Sequence, residues 1–274
     1  MCHVFEVSRS GFYDWLTRKP SIRHEENRKI IDRIRVIYYD SKSRYGSPKV
    51  TKVLESQGTK ISRQRVARMM RWDGLRSIIK KKYRISTTDS KHNWSIAKNH
   101  LNREFEVKSK SKAWVSDITY IRINQSWLYL TIVMDLYDRK IIGWALSKTM
   151  TTQDTVIPAW RMAILNRPIT TPLIFHSDRG VQYASREFRK ELRGILVTQS
   201  MSRKGNCWDN AVAENFFKII KSELIYHKQY NSHKQARLEV FEFIEMWYNR
   251  KRIHSYLGYK TPEEFGQNKL LIAA

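Results

Sequence analysis

Apolar residues recur at helical spacing in the first part of the chain. After Ser21, the isoleucines Ile30, Ile34 and Ile37 fall on one face and predict a long helix. A shorter helix is predicted before it, over residues 9–16. The chain therefore begins with an all-α region.

Two further short helices follow, each with its own start and stop signals. Ser47 is expected to cap the first, with Pro48 at its first helical position, and Gly58 stands where that helix should end. Ser62 is expected to cap the second, which should end near Gly74. Two short helices joined by about four residues make a helix-turn-helix.

The second helix of this pair carries basic and polar residues near its start. They are Arg63, Gln64, Arg65 and Arg68. Residues in this part of a helix-turn-helix reach base edges and phosphates, so we predict that they contact DNA. An ordinary helical hairpin with a charged outer face is the alternative.

The periodicity changes after residue 110 from that of helices to that of strands. Alternating segments over 113–121, 127–135 and 141–147 predict three antiparallel strands with short connections. Beyond them the pattern predicts helices over 153–166, 185–192, 208–224 and 233–249, strands over 172–177 and 196–200, and a capping box at 261–264. This order indicates an α/β fold with a mixed five-stranded sheet, preceded by the all-α helix-turn-helix region.

Charge indicates the kind of partner that the chain would bind. It holds 51 Lys and Arg against 26 Asp and Glu, a formal net charge of +25. Such a charge favours a polyanion as partner, and nucleic acid over a membrane surface because nothing in the sequence resembles a lipid anchor. No apolar stretch approaches the roughly 18 residues of a membrane span. Only two cysteines occur, which excludes a disulfide framework and a cysteine-rich zinc site and favours a reducing compartment.

The predicted elements divide the chain into five parts. Lys80, Lys81 and Lys82, with the polar stretch after them, indicate a basic linker that would assist DNA binding, although a run of charge can also be merely solvated. The parts are an N-terminal helical segment (1–45), the helix-turn-helix region (46–85), the linker (86–104), the α/β core (105–267) and a C-terminal tail (268–274).

Three acidic residues stand out because they occur within or beside strongly apolar segments. Asp117 lies in mid-strand, Asp178 ends a strand, and Glu214 lies at the rim of the apolar face of a helix. Lys218 and Lys221 project on the same side of that helix as Glu214. The set fits a divalent-metal site beside groups that hold a phosphate backbone, since carboxylates suit Mg²⁺ or Mn²⁺ and a cation relieves their repulsion.

Each of these residues also has an ordinary structural interpretation. Asp117 could be an exposed strand residue, Asp178 a turn former, and Glu214 a helix-pairing partner of Lys218. Lys221 could be a solvated surface lysine. Spacing alone leaves both interpretations open.

Two further acids compete for the metal role, because both follow an apolar strand. They are Asp135 and Asp138. Asp138 and Arg139 are placed as in a hairpin turn, and we favour that interpretation.

Several motifs, taken together and in order, resemble one known family. They are Val-Ser-Arg-Ser-Gly-Phe-Tyr at 7–13, Arg-Tyr-Gly at 44–46, Trp-Val-Ser-Asp-Ile-Thr-Tyr at 114–120, His-Ser-Asp-Arg-Gly-Val-Gln-Tyr at 176–183, Asp-Asn-Ala-Val-Ala-Glu-Asn-Phe-Phe at 209–217, Tyr-Asn-Arg-Lys-Arg-Ile-His at 248–254 and Thr-Pro-Glu-Glu-Phe at 261–265. The chain resembles the insertion-sequence transposases whose second reading frame (OrfB) carries a retroviral-integrase-like catalytic core. The resemblance covers nearly the whole chain.

The resemblance implies a ribonuclease-H-like fold and a set of site residues. The family's acidic triad, known as DDE, falls on Asp117, Asp178 and Glu214, with 35 residues between the last two. Lys221, seven residues after Glu214, matches the family's usual basic residue. The sequence lacks the His-His-Cys-Cys zinc module of retroviral integrases, and the helix-turn-helix stands in its place.

The activity implied by the resemblance is that of a polynucleotidyl transferase. Such an enzyme binds the terminal repeats of a mobile element, cleaves a strand with water activated between two Mg²⁺ (or Mn²⁺) ions, and joins the freed 3′-hydroxyl to target DNA. The resemblance also implies self-association, an upstream-frame protein or frameshift fusion as partner, and a place in the bacterial cytoplasm at the nucleoid.

Two other functions stay open on the sequence alone. One is a catalytically silent DNA-binding remnant of such a transposase, and the other is a ribonuclease-H-like nuclease that cuts without joining. Mg²⁺-dependent strand transfer on terminal-repeat DNA separates the transposase from both.

Overall fold

The computed structural model describes residues 2–79, 94–124 and 126–267, and the chain separates into two compact units, residues 1–78 and 79–274. Lys80, Lys81 and Lys82, residues 86–93 of the predicted linker and the predicted tail lie outside the described residues. In the described part, no helix is both long enough and apolar enough to cross a membrane. The finer division of the chain into five parts stays a prediction.

The first unit is built from helices alone. They are α1 (Arg9–Thr17), α2 (Ile22–Asp40), α3 (Ser47–Ser56) and α4 (Arg63–Trp72). Val50 and Leu54 of α3 are buried, as are Val66, Met69 and Met70 of α4. Since α3 and α4 both also pack against α2, the helix-turn-helix shares one small core with a third helix.

Serine side chains cap three of these helices, including the one at which the sequence predicts a cap at Ser62. The caps are Ser8, Ser21 and Ser62, each of which accepts a hydrogen bond from a backbone N–H three residues further on. The predicted cap at Ser47 was wrong, because Ser47 is already helical and Gly46 is the N-cap. The carbonyl oxygen of Gly46 accepts from the N–H groups of both Lys49 and Val50, so the helix begins one residue earlier.

The second unit contains the mixed five-stranded sheet that the sequence predicts. Its strands are β1 (Ala113–Ile123), β2 (Ser126–Asp135), β3 (Ile141–Ser147), β4 (Leu173–Ser177) and β5 (Val197–Met201). They lie in the order β3-β2-β1-β4-β5. The first three are antiparallel, whereas β4 runs parallel to β1 and β5 parallel to β4.

Helices complete the unit. They are α5 (Val156–Asn166), α6 (Val181–Ala184), α7 (Arg186–Leu192), α8 (Ala211–Glu223), α9 (His233–Phe241) and α10 (Pro262–Gln267). Two predicted helices are less regular than expected: a 3₁₀ turn (Cys207–Asn210) precedes α8, and a π-helix (Glu242–Tyr248) continues α9. The predicted capping box is confirmed by reciprocal hydrogen bonds between Thr261 and Glu264 before α10.

An aromatic cluster fills the core of this unit. It consists of Trp114, Trp160, Phe175, Tyr183 and Phe188, all nearly inaccessible to solvent. Their rings meet mostly edge to face, the arrangement that the charge distribution of aromatic rings favours. The strands that carry the predicted acids are therefore held on a tightly packed base.

Residues 94–104, which the sequence assigns to the predicted linker, pack on the core. Leu101 is only 2% exposed. The backbone N–H groups of His100 and Leu101 donate to Ser200 Oγ at 2.9 and 3.1 Å. Burial of the few apolar side chains of this segment beside β5 outweighs its polar composition.

Candidate active site

The stagger between β1 and β4 places two of the predicted acids side by side. Only the first residues of β1 pair with β4, with Val115 opposite His176. Continued for two residues, this register brings Asp117 level with Asp178, which directly follows β4. Both carboxyl groups are partly buried.

Backbone N–H groups hold each of these carboxylates in place. Oδ1 of Asp117 accepts from the N–H of Ile118 at 2.8 Å. Oδ1 of Asp178 accepts from the N–H of Gly180 at 2.9 Å. The site is therefore partly organised by local turns of the chain.

Glu214 joins these acids from the first turn of α8, which packs against β1. Burial raises the pKa of Asp117 well above its ordinary value, and the negative charges of Asp178 and Glu214 raise it further. The N–H of Ile118 and the charge of Lys221 act in the opposite direction. The structure thus brings Asp178, Glu214 and Lys221 within electrostatic reach of Asp117.

The two predicted lysines of α8 differ in their surroundings. Lys221 is partly buried, and burial lowers its pKa while the negative charge of Asp117 opposes that shift. Lys218, one turn closer to Glu214, is exposed. Lys221 is therefore the lysine that belongs to the acidic site.

A buried tyrosine lies next to both aspartates. Burial raises the pKa of Tyr183 well above its ordinary value, and the charges of Asp117 and Asp178 add to the shift. The Tyr183 hydroxyl lies 2.8 Å from Ser116 Oγ, which itself donates to the carbonyl oxygen of Ile132 at 2.7 Å. Since the serine has one hydroxyl hydrogen, the phenol must be the donor to Ser116 and stays protonated.

The residues just before α8 fasten its start to the acid-bearing strands. Asn210 donates through Nδ2 to the carbonyl oxygen of Ser116, the residue before Asp117, at 3.0 Å. Burial lowers the pKa of His176 to about 4, and the charge of Asp209 and a hydrogen bond with its backbone oppose that shift. Sequence reasoning missed these roles; the available signal was an Asp-Asn pair directly before an apolar helix face.

Asp135 and Asp138, the rival acids, have structural roles. Arg167 forms ion pairs with both, at 2.6 and 2.8 Å, and both carboxylates are buried. Asp138 also accepts from the N–H of Lys140 across a tight turn in which Arg139 has a φ of 59°. The turn interpretation of Asp138 is therefore confirmed.

The predicted DNA-contacting residues of α4 fall into two groups. Arg63, Gln64 and Arg68 are exposed. The Arg65 guanidinium instead donates to Asn27 Oδ1 on α2, at 2.8 and 3.1 Å. The DNA contacts themselves stay predictions.

The three acids offer the right donor atoms for a metal without a ready-made coordination shell. Within residues 2–79, 94–124 and 126–267, no three His, Cys, Asp or Glu side chains are arranged so that they could hold a metal ion. Asn210, which is bonded to the residue before Asp117, carries a buried acceptor. Its Oδ1 accepts no hydrogen bond from any described residue. Repulsion among the carboxylates and this unpaired oxygen both fit a hard divalent cation.

Comparison with known proteins identifies the family. Residues 108–207 and 196–262 match the integrase core domain, and residues 25–83 match an HTH-like domain. A 31 kDa protein of insertion element IS600 from Shigella sonnei is 37% identical over 274 residues, with 100% of both chains covered. Transposase InsF for insertion sequence IS3A from Escherichia coli is 37% identical over 273 residues, which is 99% of this chain and 94% of the relative.

The chain belongs to the InsF transposase family. The fold of this transposase agrees with that assignment. A chain of the simian T-cell lymphotropic virus intasome, solved in complex with PP2A regulatory subunit B56 gamma, matches it with a TM-score of 0.51 at 12% identity, over 84% of this chain and 73% of that one. The mixed five-stranded sheet and the integrase core match together confirm the predicted ribonuclease-H-like fold class.

Proposed function

We propose that this DDE transposase binds the terminal repeats of its element through the first unit and cuts and joins DNA at Asp117, Asp178 and Glu214. The observation that carries the proposal is the register of β1 and β4, which brings Asp117 level with Asp178. The pKa of Asp117 supports it, because burial raises that pKa and the charges of Asp178 and Glu214 raise it further. Asp117 on β1, Asp178 directly after β4 and Glu214 in the first turn of α8 are distant in sequence, and their placement in the fold supports the proposal.

The three acids would hold one or two Mg²⁺ or Mn²⁺ ions. When bound, such ions supply positive charge that activates the attacking oxygen and stabilises the leaving oxygen on phosphorus. Support comes from the donor chemistry, since carboxylate oxygens are the ligands that these ions prefer. Asn210 Oδ1 would accept a hydrogen bond from a water molecule at the same place.

The remaining residues of the site would position the DNA. Lys221, partly buried beside Asp117, would hold a phosphate near the scissile bond. Lys218, exposed on the same helix, would contact the backbone further out. Tyr183 would keep β1 and the Asp178 turn in register through Ser116.

The first unit would supply recognition of the terminal repeats. Arg63, Gln64 and Arg68 are exposed at α4 and could enter a groove, while Arg65 would brace α4 against α2. Lys80, Lys81 and Lys82 would add phosphate contacts. Self-association, a protein from an upstream reading frame as partner, and work in the bacterial cytoplasm at the nucleoid belong to the same proposal.

Substitution of the acids tests this proposal. Asp117→Asn, Asp178→Asn and Glu214→Gln should each nearly abolish Mg²⁺-dependent cleavage and strand transfer, whereas binding to terminal-repeat DNA should change little because affinity comes mainly from basic residues. Glu191→Gln, which removes an acid paired with Arg161 on the helical surface, is the control and should stay active. Any acid variant that keeps metal-dependent activity would remove that residue from the site.

The wild-type protein distinguishes the alternatives in the same assay. A protein that binds terminal repeats but neither cuts nor joins would be a silent remnant, and one that cuts without joining would be a nuclease. Both outcomes would contradict the proposed strand transfer.

A further inference from the structure

A buried aspartate just before α8 holds two arginines that remain half exposed. Asp209 has no exposed side-chain surface, whereas Arg103 and Arg203 expose 42% and 48% of theirs. Arg203 grips Asp209 with two parallel hydrogen bonds, Nε to Oδ2 at 2.9 Å and Nη2 to Oδ1 at 2.8 Å. Arg103 donates from Nε to Asp209 Oδ1 at 2.7 Å and from Nη2 to Asn206 Oδ1 at 2.6 Å. These three charged residues are called the two-arginine cluster below.

Asp209 is a firm anchor for both arginines. It also accepts hydrogen bonds from the backbone N–H of Arg203 at 2.9 Å and from Asn99 Nδ2 at 3.0 Å. Hydrogen bonding from Arg203, the largest influence, holds the pKa of Asp209 well below its ordinary value, so the carboxylate stays charged. Both guanidinium groups are therefore oriented before any ligand arrives, which reduces the entropy lost on binding.

The cluster has more positive charge than its own neutralisation requires. One arginine balances the carboxylate, so the second leaves an excess of one positive charge. Neither Nη1 group donates a hydrogen bond to any acceptor in the described part of the chain. A half-exposed guanidinium whose Nη1 has N–H groups available to donate is suited to bind a phosphate oxygen.

The position of the cluster relates it to the acidic site. Asp209 precedes Glu214 by five residues at the start of the same helical segment, and its neighbour Asn210 is bonded to the residue before Asp117. Exposed Lys204 follows Arg203 directly. A DNA strand whose reacting phosphate lies at the acids would thus pass near these arginines.

We propose that Arg103 and Arg203 bind a phosphodiester group of the DNA next to the scissile bond, with Asp209 as the positioning residue that orients them. This inference rests on the proposed function, because it takes DNA as the substrate. A guanidinium presents its N–H groups in a fixed fork that matches phosphate oxygens. The cluster contributes affinity and alignment, while the acids remain responsible for the reaction.

Salt dependence of DNA binding by the full chain tests the proposal without any reaction. Affinity for a short duplex that carries the terminal repeat is measured in EDTA over a range of salt concentrations. The slope of log K against log salt is negative, and removing a single contact with a DNA phosphate reduces its magnitude by about 0.9. Arg103→Gln and Arg203→Gln should each show this reduction. Arg161→Gln removes another exposed arginine paired with an acid, Glu191, and should keep the wild-type slope.

Arg203→Gln could fail to fold, and Arg103→Gln then decides the outcome. In Arg103→Gln, Asp209 keeps both side-chain hydrogen bonds from Arg203. A wild-type slope for Arg103→Gln at an unchanged melting temperature would overturn the proposal. Neutral methylphosphonates that replace single phosphates around the cleavage site locate the contact. At one position the replacement should weaken DNA binding by the wild-type protein and leave DNA binding by Arg103→Gln unchanged. Because cleavage is assayed separately, a chain that shows these binding effects but never cuts would refute the proposed function and leave this inference standing.

Discussion

Asp117 lies where burial and two neighbouring negative charges disfavour its ionised form. The positive charge of Lys221 offsets this only in part, because burial also lowers the pKa of the lysine. A divalent cation would relieve the repulsion by pairing with the carboxylates. The same charged groups around Asp117 that lower the stability of the metal-free protein therefore favour the binding of a metal ion.

Asp117→Asn should make the metal-free protein more stable, by about 1 kcal/mol near neutral pH. A raised pKa means that the folded protein keeps a proton that the unfolded chain loses above pH 3.8, so the destabilisation grows as pH rises and the gain should be smaller at roughly pH 5. Melting temperatures in EDTA at the two pH values measure it. Added Mg²⁺ should raise the melting temperature of the wild-type protein and not of the variant.

Asp135→Asn is the matched control for this measurement. Asp135 is also buried, but it is paired with Arg167, so its loss should destabilise the protein. Destabilisation by Asp117→Asn in the absence of metal would contradict the electrostatic account of the site.

Lys221 should matter more for the reaction rate than for DNA affinity. It lies beside Asp117, so Lys221→Ala should lower strand transfer at saturating DNA by about a hundredfold through loss of alignment of the reacting phosphate. Its affinity should fall only by the share of one phosphate contact. Single-turnover assays on pre-cut ends measure the rate. Lys218 is exposed on the same helix, so Lys218→Ala should lower DNA affinity more than the rate of strand transfer. A wild-type rate for Lys221→Ala would identify Lys221 as a solvated lysine.

At the scale of elements, periodicity predicts the strands but not how they pair. The alternation around Asp117 and the apolar run before Asp178 each indicate a strand. In the folded protein β1 lies beside β4 and extends past it far enough to bring the two acids level. This pairing depends on contacts between residues that are far apart in sequence. The motifs supplied the pairing of the acids only through their resemblance to a family.

Polar residues that act through burial were the hardest to predict. Asp209 reads in the sequence as an ordinary helix-start acid, and Arg103 lies in a stretch predicted to be a linker. Their pairing closes a gap of 106 residues in the chain. No local pattern records such a contact, because either residue alone is typical of a solvated surface.

The contact between β3 and α5 depends on the absence of a single side chain. A Cβ atom on Gly143 would lie 2.2 Å from the carbonyl oxygen of Ala159 and 2.7 Å from the backbone nitrogen of Ala163. Gly143→Ala should therefore force the helix away from the sheet and lower the free energy of unfolding by about 3 kcal/mol. Chemical denaturation of the wild-type and variant proteins measures the loss.

A second substitution checks the stated cause of that loss. Adding Ala163→Gly removes the methyl group that the new Cβ would approach at 2.8 Å, but not the backbone atoms. The double variant should therefore remain at least as unstable as Gly143→Ala. Full recovery would mean that side-chain crowding, and not the approach of the helix backbone, sets the spacing.

At the scale of the whole molecule, the two units divide the chemistry of the sequence. The first unit holds the helix-turn-helix with its exposed basic residues, and the second holds the acids on a mixed sheet. Composition indicates this division, since 24 of the 51 basic residues occur in the first hundred positions. The segment over 94–104, polar in composition and assigned to the predicted linker, packs on the second unit.

A core fragment that begins at residue 94 should therefore be more stable than one that begins at residue 105. The shorter fragment loses the buried side chain of Leu101, two hydrogen bonds to Ser200 Oγ and the pair between Arg103 and Asp209. Burial of one leucine and two hydrogen bonds together stabilise by about 4 kcal/mol. Urea unfolding of the fragments 94–267 and 105–267 should show a difference of this order. Leu101→Ala in the longer fragment should reproduce about half of it, and equal stability of the two fragments would return 94–104 to the linker.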